Sequence, residues 1–340
     1  MKNLSLETVA TLILVTPLAG FALNARPLQP NEHQSNLPGI TTIEAPPAGF
    51  NAITASDEEL AYHGFPPRPN ENTEPEAYAN WVRAMNASKT RIVPQLEQTT
   101  TVHRPARPEQ DANPTGVGNK VPLPDPHDNN LVTSNMSGYF VQSGATSYGS
   151  NSFYYIVSNF VVPVAQQAGC TGSWAYASEW SGIDGFGSSD VLQAGIDFDA
   201  YCSGGIRASY YAAWYEWYPL GEVLISGFPV APGDDIFVEV WHTSPTQGYV
   251  YLVNNNTKQA VELGFTASPG HPLVGNSAEW IVEDPGVLIN FGMIPFWHAV
   301  AYTESGIQFC STSGTEIDEV ILPTIIHPTP LGSCSFVDVY

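Results

Sequence analysis

Val191–Asp197 reads VLQAGID, and the alternation in these seven residues sets the fold class. At a period of two, Leu192, Ala194, Ile196 and, one step on, Phe198 share an apolar face. Gln193 and Asp197 take the opposite face, with Gly195 between them. Two other runs repeat the pattern. In Ala213–Tyr218 (AWYEWY), Trp214, Glu216 and Tyr218 share a face. In Ala278–Asp284 (AEWIVED), Glu279, Ile281 and Glu283 share a face and leave Ala278, Trp280 and Val282 for a core. Three strands of this kind, apolar on one side and polar or aromatic on the other, suit a concave groove above a packed interior.

The same texture extends over residues 131–340, in runs such as SFYYIVSNFVVPV, DDIFVEVWHTS and YVYLVNNNTKQAVELGF. Short β-branched and aromatic runs with little helical periodicity predict an all-β fold, a β-sandwich or a barrel. Asn254-Asn255-Asn256 between two alternating runs marks a hairpin turn.

Upstream, residues 26–130 are dense in Pro, Asn, Glu and Thr, as in FPPRPNENTEPE and VPLPDPHDNN. Proline at this density opposes helix interiors and sheet ladders, so the segment is expected to be largely irregular, with a short helix over Glu74–Ala87. It reads either as a spacer or as a propeptide that covers a site downstream, with maturation near residues 110–135. Residues 1–25 read as a signal peptide. Lys2 precedes an apolar stretch over Val9–Leu18, too short to span a bilayer, and small residues follow at Gly20, Ala22 and Ala25. A secreted, extracellular protein is therefore expected.

The formal net charge is −22 at pH 7, although only 13% of residues are charged. Such a balance repels nucleic acid and anionic membrane and suits an acidic working medium. From Leu131 to Tyr340 the only basic residues are Arg207 and Lys258, against nineteen Asp and Glu. Residues 26–130 hold eight Lys and Arg against thirteen acids, so a basic N-terminal segment held to an acidic groove at neutral pH is a second expectation. The four cysteines, Cys170, Cys202, Cys310 and Cys334, allow three disulfide pairings. The pairs Cys170–Cys202 and Cys310–Cys334 are favoured because each closes a local loop.

The motifs WSGIDGFGSSDVLQAGIDF (Trp180–Phe198), AWYEWYP (Ala213–Pro219) and NSAEWIVED (Asn276–Asp284) occur in this order. Together they resemble the glutamic peptidases, or eqolisins, over nearly all of residues 131–340. The resemblance implies an all-β, two-sheet antiparallel β-sandwich of concanavalin-like form, with Gln193 and Glu283 as the catalytic pair. It further implies a substrate groove of Gly138, Trp180, Asp184, Gly185, Gly195, Asp197, Trp214, Glu216 and Tyr218. Glu279, on the same strand face as Glu283, is the second choice for the acid. Met136 stands where the family commonly has Trp, and Pro285 where an aromatic is usual.

The implied chemistry is endopeptidase action. A glutamate, with an ordinary pKa of about 4.3, takes a proton from water in acid and returns it to the leaving amine. A glutamine amide N–H stabilises the oxyanion without titrating. A polypeptide substrate and the chain's own propeptide are the expected partners, with a monomer and no cofactor. The GxSxG, HExxH and Asp-Thr/Ser-Gly signatures are absent from the sequence. The eight histidines are scattered, and His242 and His298, each after a Trp in a strand, read as structural, so no metal is expected. The alternative is a β-sandwich glycosidase or a non-catalytic carbohydrate-binding module. TEIDEVI (Thr315–Ile321) has alternating carboxylates of the glycosidase kind, but the last position is Ile321.

Overall fold

Alternation of the kind read in VLQAGID places one apolar row per strand, and the structure brings these rows together between two sheets. The computed structural model describes residues 28–103, 131–284, 289–321, 324–332 and 334–340. The expected signal peptide, Pro285 and nearly all of the expected maturation region lie outside them.

One sheet orders its antiparallel strands Val223–Ser226, Ile206–Tyr218, Val191–Ser203, Ser178–Asp184, Ser277–Glu283, Met136–Gln142 and Thr315–Ile321. Its free face is the groove. The other, outer sheet runs Gln259–Thr266, Gln247–Asn254, Asp235–Ser244, Phe153–Val161, Met293–Thr303 and Ser335–Val339. Strand Thr324–Gly332 pairs with Thr315–Ile321 on one side and Ser335–Val339 on the other, and so joins the sheets. Leu192, Ala194, Ile196, Phe198, Trp280 and Val282 fill the space between the sheets with Phe160, Val238, Leu252 and Phe296, as their alternation requires. The asparagine turn closes a hairpin, with Asn254 Oδ1 accepting the N–H groups of Asn256 and Thr257. Both favoured disulfides are present.

The N-terminal segment is more ordered than its proline content suggests. Its strands occupy gaps free of proline and cap the exposed edges of both sheets. Gln95–Gln98 pairs with the groove-sheet edge Val223–Ser226. Ile40–Ile43 and Thr90–Arg91 pair with the outer-sheet edge Gln259–Thr266. The expected helix spans Pro75–Ala87, with proline in the first turn, where its missing N–H costs nothing. A second helix, Asp57–Tyr62, carries a capping box between Ser56 and Glu59. Trp81, Ala84, Met85, Leu60 and Phe65 from this segment form a second core against the outer face of the outer sheet, on Tyr155, Phe237, Trp241, Tyr251 and Tyr302.

Two consequences are measurable. Trp81 is fully buried and donates Nε1–H to the Pro66 carbonyl, so Trp81→Ala is expected to destabilise the chain by about 3–5 kcal/mol in denaturant unfolding. Glu262, beneath Ile40–Ile43, accepts the Ile43 N–H, yet burial pushes its carboxyl from 4.5 up to about 7. The folded state then binds the proton more tightly than the unfolded one. Glu262 therefore leaves stability intact below its ordinary range and erodes it as pH rises from about 4.5 to 7. Glu262→Gln is expected to flatten that fall, and an unchanged pH–stability profile would contradict it.

Candidate active site

Strand register sorts the groove residues into cross-strand rows. One row runs Glu279–Gly182–Gln193–Glu216 across four strands. The next runs Ile281–Trp180–Gly195–Trp214, and the third Glu283–Ser178–Asp197. Met136, Phe140, Trp180, Trp214, Ile281 and Ile317 form the apolar floor, so Met136 fills its place opposite Glu283 without an aromatic ring. Gly195 keeps the middle row shallow, because a Cβ there would lie 2.2 Å from the Glu179 carbonyl oxygen. Gly138 approaches the Trp280 backbone as closely from the neighbouring strand.

Residues 99–103 lie across this surface as a strap. Thr99 N–H donates to the Glu222 carbonyl, and Glu222 N–H returns a bond to the Thr101 carbonyl. At its end, His103 meets most of the expected residues. Its N–H donates to Glu216 Oε2 at 2.9 Å, and its carbonyl accepts from Gln193 Nε2 at 3.1 Å. Its ring stacks on Trp214 with centroids 3.9 Å apart and planes 6° from parallel. Its Nδ1 lies 3.1 Å from Glu283 Oε2, which also accepts Trp180 Nε1–H at 3.3 Å. Gln193, Glu216, Trp180, Trp214, Asp197 and Glu283 thus converge around one histidine that the sequence reading left among scattered ones. Of the cations described in the N-terminal segment, Arg68 pairs with Asp57, Arg83 pairs with Asp235, and Arg91 lies over Phe65 and Tyr251.

The other expected residues sit apart from the strap. Asp184 accepts the N–H groups of Val274 and Asn276 and so pins a loop. Gly185 has φ +112°, and a Cβ on it would lie 2.8 Å from a Glu279 oxygen, so glycine lets this turn close over that carboxyl. Tyr218 ends its strand opposite Val191. Glu279 accepts the Ser277 hydroxyl on Oε1, while its buried Oε2 has no hydrogen-bond partner. Gln193 Oε1 is likewise buried without a partner.

Electrostatics follow from burial without cations. Desolvation pushes Glu279 up to about 8, against the opposing pull of the Phe186 N–H and the Ser277 hydroxyl. It pushes Glu216 up to about 7 and Asp199 to about 7, and holds Asp197, hydrogen-bonded to Glu222, well above the usual range. For His103, burial opposes the charged ring, but the bond and charge of Glu283, with the charges of Glu216 and Glu222, raise it overall.

Among the described residues, two groups gather a histidine with two carboxyls: His103 with Asp197 and Glu222, and His327 with Glu316 and Asp318. His103 Nδ1 already faces Glu283, and acidic clusters of this sort occur without ions. His242 is buried and donates Nε2–H to the Phe153 carbonyl, a structural bond. Glu316 is turned to Tyr139 of the inter-sheet core while Ile317 lies in the groove floor, so the alternating Glu316 and Asp318 do not face the groove.

Residues 134–326 match the model of the Peptidase A4 family. The chain is 32% identical over 200 residues to aspergillopepsin-2 of Aspergillus niger, spanning 52% of this chain and 68% of that protein. It is 34% identical over 172 residues to scytalidopepsin B of Scytalidium lignicola, spanning 48% and 64%. The crystal structure of scytalido-glutamic peptidase with a transition state analog inhibitor superposes with a TM-score of 0.51 at 25% identity, covering 61% of this chain and 98% of that one. With groove, family model and relatives in agreement, the chain belongs to the peptidase A4, or glutamic peptidase, family and is a hydrolase of peptide bonds.

Proposed function

We propose that this chain is an exported, acid-acting endopeptidase made as a precursor, and that Gln193 works with Glu283. The observation that carries the pairing is that one groove-bound residue, His103, meets Gln193 Nε2 through its carbonyl and Glu283 Oε2 through its ring, each at 3.1 Å, so the two side chains face a common point. Gln193 Oε1 is buried without a partner, which leaves an acceptor for water there. Glu279 shares the strand face with Glu283 but lies beneath the Gly185 turn, held by the Ser277 hydroxyl.

In this mechanism a water between Glu283 and Gln193 attacks the carbonyl carbon of the scissile bond. Glu283 takes the water's proton, Gln193 Nε2–H donates to the developing oxyanion, and the C–N bond breaks as Glu283 returns the proton to the amine. Burial pushes Glu279 up to about 8 beneath its turn, so it stays protonated in acid and does not act as the base. Residues 26–130 act as the pro-region, and Thr99–His103 blocks the groove from the carbonyl side. The strap is held there by backbone bonds and one imidazole; Arg104, Arg107 and Lys120, which belong to the expected basic contact, lie outside the described residues.

The test is hydrolysis of denatured casein from acid to neutral pH, with pepstatin present. Gln193→Ala is expected to lower kcat by about 100- to 1,000-fold, the loss typical of an oxyanion donor. Glu283→Gln should abolish cleavage, whereas Glu279→Gln should retain a measurable part of it. Loss in Glu279→Gln with retention in Glu283→Gln would move the base to Glu279. Folded wild-type protein without cleavage at any pH would end the peptidase reading for this chain.

A further inference from the structure

The helix Pro75–Ala87 ends in a chemical signal that neither the sandwich nor the groove uses. Asn86-Ala87-Ser88 has the Asn-X-Ser/Thr pattern at which an asparagine side chain accepts an N-linked glycan in the secretory pathway. The pattern occurs also at Asn3, Asn135 and Asn255. Their surroundings separate the four.

Asn3 lies in the expected signal peptide and would leave with it. Asn255 is buried in the hairpin turn, where its Nδ2–H donates to Asp235 Oδ1 at 3.2 Å. Asn135 is half-buried, and its carbonyl accepts the Asp284 N–H at 2.8 Å. The next residue, Met136, pairs with Glu283, so a sugar on Asn135 would crowd the groove. Asn86 differs on each count. Its helix buries Trp81, Ala84 and Met85 and turns Glu76, Ala79, Arg83 and Asn86 to solvent, a stripe at the helical period. The buried side packs on the outer face of the outer sheet, so the stripe lies on the side of the molecule opposite the groove. A bulky, hydrophilic group fits there without displacing a packed side chain or meeting the substrate.

The serine adds an order of events. Ser88 caps the helix, is half-buried, and shares a 2.7 Å hydrogen bond with the Tyr251 hydroxyl of the outer sheet. The pattern requires that same hydroxyl for transfer, so the acceptor is open only before the helix docks.

We infer that Asn86 carries an N-linked glycan, added before the helix docks and borne by the N-terminal layer rather than by the groove domain. The donor is an oligosaccharide on a lipid pyrophosphate. Asn86 Nδ2 bonds to the anomeric carbon of its reducing-end sugar and loses one proton. The bond from that carbon to the pyrophosphate oxygen breaks, and the lipid pyrophosphate leaves. The inference rests on the reading of the chain as exported, so its test includes a form that does not depend on the chain's own leader.

The full-length chain is secreted from a eukaryotic host, denatured and treated with peptide N-glycosidase. One glycan-sized fall in mass is expected, with a deamidated Asn86 in the peptide map. Asn86→Gln and Ser88→Ala should each remove the fall, whereas Ser88→Thr, Asn135→Gln and Asn255→Gln should keep it. A chain that never leaves the cytoplasm is a failure of export. The same assay is then made on residues 26–340 behind the host's own signal peptide, in the lumen as well as in the medium. In either form, a translocated chain whose mass does not change, or a fall that survives Asn86→Gln, overturns the proposal.

Discussion

Nineteen carboxyl groups and two cations share residues 131–340, so few acids inside the sandwich can be neutralised by a salt bridge. Burial must then be met by protonation or by hydrogen bonds from neutral groups. Both are seen. Asp184 is held by two backbone N–H groups and still rises to about 6, while Glu319, packed near Asp284, Asp338 and Glu283, rises to about 9. A sequence of this kind has committed its interior to a proton supply. Acid conditions are therefore part of what makes the fold self-consistent as well as a setting for its chemistry.

The groove uses the same constraint. Its strands are buried on both faces, with the inter-sheet core on one side and aromatic and carboxyl groups on the other. Gly182 and Gly195 occupy the positions where a Cβ would meet a neighbouring side chain or carbonyl, and they leave the trough in which the strap lies. Rows of side chains two strands apart thereby come within reach of a single extended peptide. Such a peptide touches Glu216, Gln193 and Glu283 through one residue.

Much of this was legible in the sequence, because alternation reports which face a residue takes. The inward rows, the asparagine hairpin, the helix at 75–87 and the two disulfides all follow from local pattern or local loop length. Alternation is silent on register. Glu279 and Glu283 share a face at any pairing, and only the alignment with Ser178–Asp184 separates the row of Gln193 from the row of Asp197. His103 was illegible for a related reason. Its partners lie 113 and 180 residues away, and a lone histidine in a proline-rich run has no periodicity to mark it. The Ser56–Glu59 capping box was a local signal in plain view, and its helix shows that order in such a segment can come from caps where apolar periodicity is weak.

The layer that residues 28–98 lay over the outer sheet separates the chain's covalent continuity from its assembly. Tyr155, Phe237, Trp241, Tyr251 and Tyr302 find their cover in that layer, and the buried Glu239 and Glu262 beneath it favour contact most when they carry protons. Acid tightens this contact. A cut within residues 104–130 would sever the chain while leaving both pieces with the same buried faces. Covalent connection and physical association are then independent variables: the first changes by hydrolysis of one bond, the second only by dissociation, with its own dependence on concentration.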